Sequence, residues 1–154
     1  MAVTARRKSA KIAAVVAFAF GSATLLVADT AADVRAQIGY VASALTSGNA
    51  ADAMSTFDKS FAGYHKLKTY FQGLNDLQIE NEIDVLDEQY TNSTAELNIN
   101  WTLTLTNPAT NSSVRRSEDV HLRLVLKDGK WKIVELSPIE LFDPQPRKSS
   151  GKTP

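Results

Sequence analysis

The chain has 154 residues, 17 acidic and 17 basic side chains, and no cysteine. That length suits one domain, and the missing thiols exclude a disulfide framework, a cysteine zinc site, a thiol nucleophile and a lipid-modified N-terminal cysteine. Arg6, Arg7, Lys8 and Lys11 are the only charges before Asp29, which leaves 13 bases against 17 acids in the rest of the chain. That balance is opposite to the basic footprint of a nucleic-acid-binding domain.

In chain order, those four bases precede an uncharged run, Ile12 to Ala28. A positive stretch followed by an apolar one is the pattern of a secretory signal. A signal peptidase needs small residues at the third and first positions before its cut. Cutting after Ala28 puts Leu26 at the third position, and cutting after Ala32 puts Thr30 there. The 17-residue run is close to the shortest that spans a bilayer. Residues 1–28 therefore read as a signal peptide or an N-terminal membrane anchor. Either way the remainder is expected outside the cytoplasm, periplasmic or secreted, with the anchor holding it to the inner membrane by residues 12–28. The membrane is expected to be touched only by this segment.

The folded part is expected over 29–143. Thr30 with Asp33 has the spacing of a capping box, and Val34, Ile38, Val41 and Leu45 mark one face of a helix. Gly48 suits the position after its end. Asn49 is placed to cap a second helix with Asp52 in its first turn, carrying Met54, Phe57 and Phe61 inward. After Gly63 a short third helix carries Leu67, Tyr70 or Phe71, and Leu74.

From Leu77 the apolar period changes to two, the signature of strands with one buried face. Ile79, Asn81, Ile83 and Val85 share a face opposite Glu80, Glu82 and Asp84. Ala95, Leu97, Ile99, Trp101, Leu103 and Leu105 then alternate with Glu96, Asn98, Asn100, Thr102 and Thr104. A third strand is expected from about Val114 to Lys127, and a fourth from Lys130 to about Phe142 with a bulge or bend at Pro138. Asp128-Gly129 between them is a strong hairpin signal, because a type I′ turn needs positive φ at both central residues. Residues 144–154 have the composition of a disordered tail.

Helices followed by a meander of about four long strands give an α+β class, with the helices packed in the concave face of a strongly curved antiparallel sheet. The segments ALTSGNAADAMSTF (Ala44 to Phe57) and DGKWKIVEL (Asp128 to Leu136), in that element order, resemble the nuclear-transport-factor-2-like superfamily. This is the cystatin-like cone fold, which includes ketosteroid-isomerase-like and SnoaL-like proteins. The resemblance implies a cavity between helices and sheet, lined by Asp, His and Tyr in the family's enzymes, and sheet faces that commonly pair two subunits.

Tyr40, Tyr64, His65, Asn81 and Trp101 are the candidates for such a cavity, which would take a small apolar ligand. Asn81 is the polar residue on an otherwise apolar strand face. Asp119, Glu80, Glu82 and Glu96 fall on the polar faces, so no position is assigned a catalytic role. His121, between Val120 and Leu122, points away from the apolar face and reads as surface or interface. His65 and His121 lack a third ligand at suitable spacing, so no metal is expected, and nothing calls for a cofactor. Asn98, Asn100, Thr102, His121 and Arg123 are the candidates for a homodimer interface or for contact with another envelope protein. The expected function is an exported, non-catalytic binding or assembly module. The alternative is a small cavity enzyme of the isomerase, dehydratase or polyketide-cyclase type.

Overall fold

The computed structural model describes the backbone of residues 11–145 and the side chains of residues 29–145. The signal or anchor expected at 1–28, and residues 146–154 of the expected tail, lie outside the described side chains. Among the described residues no helix is long and apolar enough to cross a membrane.

Helix α1 runs unbroken from Lys11 to Thr46. Thr30 and Asp33 therefore lie inside it and do not begin a helix, which corrects the expected capping box. Good helix formers such as Ala31, Ala32 and Ala36 on either side of that pair propagate the helix through it. From Val34 onward the helix buries Val34, Ile38, Val41 and Leu45, each no more than 4% exposed. Gly48 follows at φ 70°, the left-handed conformation that ends helices. Helix α2 is a single turn, Ala50–Met54, capped by Asn49: the Asp52 amide donates to Asn49 Oδ1 at 3.0 Å, and Asn49 Nδ2 donates to Asp52 Oδ2 at 2.6 Å. Phe57 and Phe61 are buried as expected, but from the irregular segment after α2. Helix α3, Tyr64–Gly73, buries Leu67 and Phe71. Its last residue must be glycine-sized, because a Cβ there would sit 2.6 Å from Pro144 Cγ.

Four strands follow, β1 (Gln78–Tyr90), β2 (Thr94–Asn107), β3 (Ser112–Lys127) and β4 (Lys130–Ser137), in one antiparallel sheet of order β1-β2-β3-β4. The β3–β4 turn has Asp128 at φ 51° and Gly129 at φ 76°, as the hairpin chemistry requires. Two bulges reset the register. Leu86 is extra in β1 between Val85 and Asp87, and Val134 is extra in β4 opposite the Arg123/Leu124 step. The first bulge leaves Val85 42% and Leu86 57% exposed, so Val85 does not join the buried face expected for it. Strand β4 ends at Ser137; after Pro138 a 3-10 turn, Ile139–Phe142, replaces the expected continuation and buries Leu141 and Phe142. At the free edge of β4, Thr56 and Asp58 pair with Ile133: its amide donates to Thr56 O at 2.8 Å, and the Asp58 amide donates to Ile133 O at 2.8 Å.

The helices and the 3-10 turn cover one face of the sheet, and the residues of β2 expected inward are all there, from Ala95 to Leu105 at no more than 5% exposure. The other face is open to solvent.

Candidate functional site

The interior, where a cavity would lie, is occupied by aromatic rings. Phe142 packs edge-on against Trp101 with centroids 5.1 Å apart and against Phe71 at 5.2 Å, and Phe71 meets Phe57 edge-on at 6.0 Å. Edge-to-face contacts at these separations add to the area term of burial. Trp101 is 1% exposed, and Phe71 and Phe142 are fully buried.

A buried indole N–H needs an acceptor, and Asn81 supplies it. Trp101 Nε1 donates to Asn81 Oδ1 at 2.9 Å, and Asn81 Nδ2 donates to Ala42 O and to Thr46 Oγ1, both at 3.0 Å. The indole can only donate and the carbonyl can only accept, so the amide orientation is fixed by its neighbours. Both amide hydrogens are engaged, and Oδ1 is aimed at the indole. One side chain thereby ties β1, β2 and α1 together and has no donor left for a ligand.

Of the five cavity candidates, only Asn81 and Trp101 are brought together, and they bind each other. Tyr40 faces outward, 46% exposed, in an open groove of about 440 Å³ shared with Gln37, Thr56, Trp131, Lys130 and Lys132. Tyr64 and His65 begin α3 with ring centroids 5.6 Å apart, both half-buried. Sequence reasoning missed Arg116. It shares the strand parity of Val120, Leu122 and Leu124 and so lies on the helix side of the sheet, and that parity was the available signal. Its Nη1 donates to Leu141 O at 2.9 Å and to Asp143 O at 2.5 Å, which holds the 3-10 turn in place. Burial pushes its guanidinium pKa down, against the pull of Asp143.

Charged contacts fasten the edges. Arg35 on α1 grips Glu88 of β1 through Nε to Oε2 at 3.0 Å and a second, close contact to Oε1, and the Tyr90 hydroxyl donates to Glu88 Oε2 at 2.8 Å. The Arg35 hydrogen bonds hold the Glu88 carboxyl below its usual range. Burial first, and then Glu88, push Tyr90 up to about 12. Lys127 donates to Asp58 Oδ2 at 2.8 Å and holds that carboxyl well below the usual range.

The outer face is a set of polar rungs between β2 and β3 that follow the backbone register. Asn98 faces His121 (Oδ1 to Nδ1, 3.1 Å), Asn100 Nδ2 donates to Asp119 Oδ1 at 2.8 Å, and Thr102 Oγ1 donates to Ser117 Oγ at 2.9 Å. Ser117 Oγ donates in turn to Asn100 Oδ1 at 3.0 Å. The five interface candidates, Asn98, Asn100, Thr102, His121 and Arg123, are thus contiguous on one face. Thr102 is only 6% exposed, covered by its neighbours, so Ser117 rather than Thr102 presents the centre of the stripe. His121 Nε2 lies 3.4 Å from Glu135 Oε1 and 3.7 Å from Glu96 Oε1. Among the described residues no group of three or more Asp, Glu, His or Cys is arranged to hold a metal ion.

No protein-family model and no curated protein matches the chain. Solved structures do. It is similar to an NTF-2-like protein of unknown function from Shewanella oneidensis MR-1, with TM-score 0.55 and 11% identity over 70% of this chain and 96% of that one. It is similar to a protein of unknown function with a cystatin-like fold from Nostoc punctiforme, with TM-score 0.50 and 14% identity over 68% and 85%. This is the nuclear-transport-factor-2-like, cystatin-like cone fold. A third structure of this fold, a ketosteroid isomerase-like protein from Erwinia carotovora atroseptica, aligns with TM-score 0.57 and 14% identity over 68% of this chain and 91% of that one. At these identities the likeness is one of architecture, and it bears out the cone fold expected from the element order.

Proposed function

We propose that this is an exported, periplasmic or secreted cone-fold domain that acts as a binding or assembly module without catalysis, and that its outer sheet face meets a second copy of the chain. The observation that carries the reading is the filled interior. Trp101 and Phe142 occupy it, and Asn81 is engaged by its neighbours. Cavity chemistry of the isomerase or dehydratase kind needs an inward acid or base beside an open pocket, and the inward strand positions around Trp101 supply neither. The surface left for recognition is the outer stripe, whose Thr, Asn and Ser side chains desolvate at less cost than Lys or Glu and suit a partly hydrated contact.

Light scattering on the purified protein tests the assembly claim. A dimer is expected, and Ser117→Arg, which sets two unpaired cations close to a two-fold axis, is expected to give monomer. A wild-type monomer at high concentration overturns the claim. Cell fractionation with N-terminal sequencing tests export: recovery of the domain in the cytoplasm defeats it, and an intact Met1 in the membrane fraction selects the anchor over the signal peptide.

A further inference from the structure

Most outer-face rungs are closed hydrogen bonds, but the one at His121 has an unfilled place. Its Nδ1 faces Asn98 Oδ1 at 3.1 Å. An amide oxygen only accepts, so Nδ1 carries the hydrogen. In the neutral ring Nε2 is then a lone pair, and it faces two carboxylates from the flanking strands, Glu135 at 3.4 Å and Glu96 at 3.7 Å. A lone pair between two carboxylates is electrostatically unfavourable. One added proton turns Nε2 into a donor directed at both, and the ring then links β2, β3 and β4 by charge-assisted contacts.

We infer that His121, placed between Glu96 and Glu135, makes self-association through the outer sheet face depend on pH, with acid favouring the dimer. This rests on the proposed outer-face dimer. The charged groups around the ring are Glu96 on β2, Glu135 on β4, and Asp119 and Arg123 on its own strand. Arg123 stands in register between the two glutamates. Together they carry two net negative charges with the ring neutral and one with it protonated. Two such patches meet across a two-fold axis, where like charges repel, and histidine is the side chain that changes charge between pH 5 and 8.

Sedimentation equilibrium on the whole purified protein, with EDTA present so that no metal stands in for the proton, tests this. The dimer dissociation constant is expected to fall roughly tenfold from pH 8 to pH 5.5, the scale of one unit of proton-linked affinity. His121→Gln should flatten that dependence; His65, the only other histidine, stands on α3 and remains as an internal control. Glu135→Gln, which removes one facing charge, should bring the pH 8 constant close to the wild-type value at pH 5.5. A dimer whose constant ignores pH, or a slope that survives His121→Gln, overturns this inference and leaves the dimer standing. A protein monomeric at every pH and concentration overturns both.

Discussion

The two faces of strand β2 are built from alternate residues of one segment, and they solve the problem of polar atoms in opposite ways. On the inner face the indole N–H of Trp101 is held by Asn81, and the surrounding side chains are apolar. On the outer face Asn98, Asn100 and Thr102 each find a partner on β3 while water remains available. The same kind of bond therefore has different worth on the two sides. Buried, its loss strands a donor that water cannot reach; exposed, its loss is made good by solvent. The inner face fixes the fold, and the outer face is free to change.

That contrast can be broken first at its strongest point. Trp101→Ala should cost about 3 to 5 kcal/mol in denaturant unfolding, as large aromatic truncations in packed cores do; a loss below about 1 kcal/mol would mean that the ring does not fill the interior. Asn81→Leu should cost less, about 1 to 3 kcal/mol, because it strands the Trp101 N–H and the Ala42 carbonyl. A neutral result would show that the triple hydrogen bond is not closed.

The edge contacts come next, and pH reads them. Tyr90, pushed up to about 12 from 10.0, holds its proton in the folded state after an unfolded chain has released its own. Its share of stability is therefore complete below pH 10 and drains away as pH rises towards 12. Ultraviolet titration should show one of the four tyrosines ionising late, and Tyr90→Phe should abolish that step. Glu88 acts in the other direction: its lowered pKa supports the fold above the ordinary carboxylate range and is lost as pH falls through the folded value. The smallest effect on the fold is expected outside. Ser117→Arg should change unfolding free energy by no more than about 0.5 kcal/mol while altering self-association, and a large loss of stability there would erase the distinction between the faces.

What could be read in the residues was what depends on near neighbours. The strict alternation from Ala95 to Leu105 fixes which side of β2 is buried, Asp128-Gly129 fixes a turn that only left-handed backbone can make, and Asn49 before Asp52 fixes a cap. The misreadings are places where a local pattern met a distant partner. The Thr30/Asp33 pair has capping spacing, but the residues before it are helical too. The extra residues Leu86 and Val134 give no sign in a single strand, because a bulge is a property of a pair. Asn81 and Trp101 were both legible as unusual, yet only the register that sets Asn81 opposite Leu103 brings them within reach of each other. Arg116 was overlooked for a related reason: what it holds lies 25 and 27 residues further along the chain.

The pairing of Thr56 and Asp58 with Ile133 has a bearing on solubility. A sheet with open edges invites further strands and, in the end, fibres. Here β4 already carries a short companion along its outer side. The far edge, β1, is acidic from Glu80 to Glu88 and is bent by its bulge, and both features discourage a flat neighbour. Growth by strand addition is thus blocked at both ends of the meander. A contact between broad faces closes on itself at two copies, which is a safe way for a small domain without cysteines to associate.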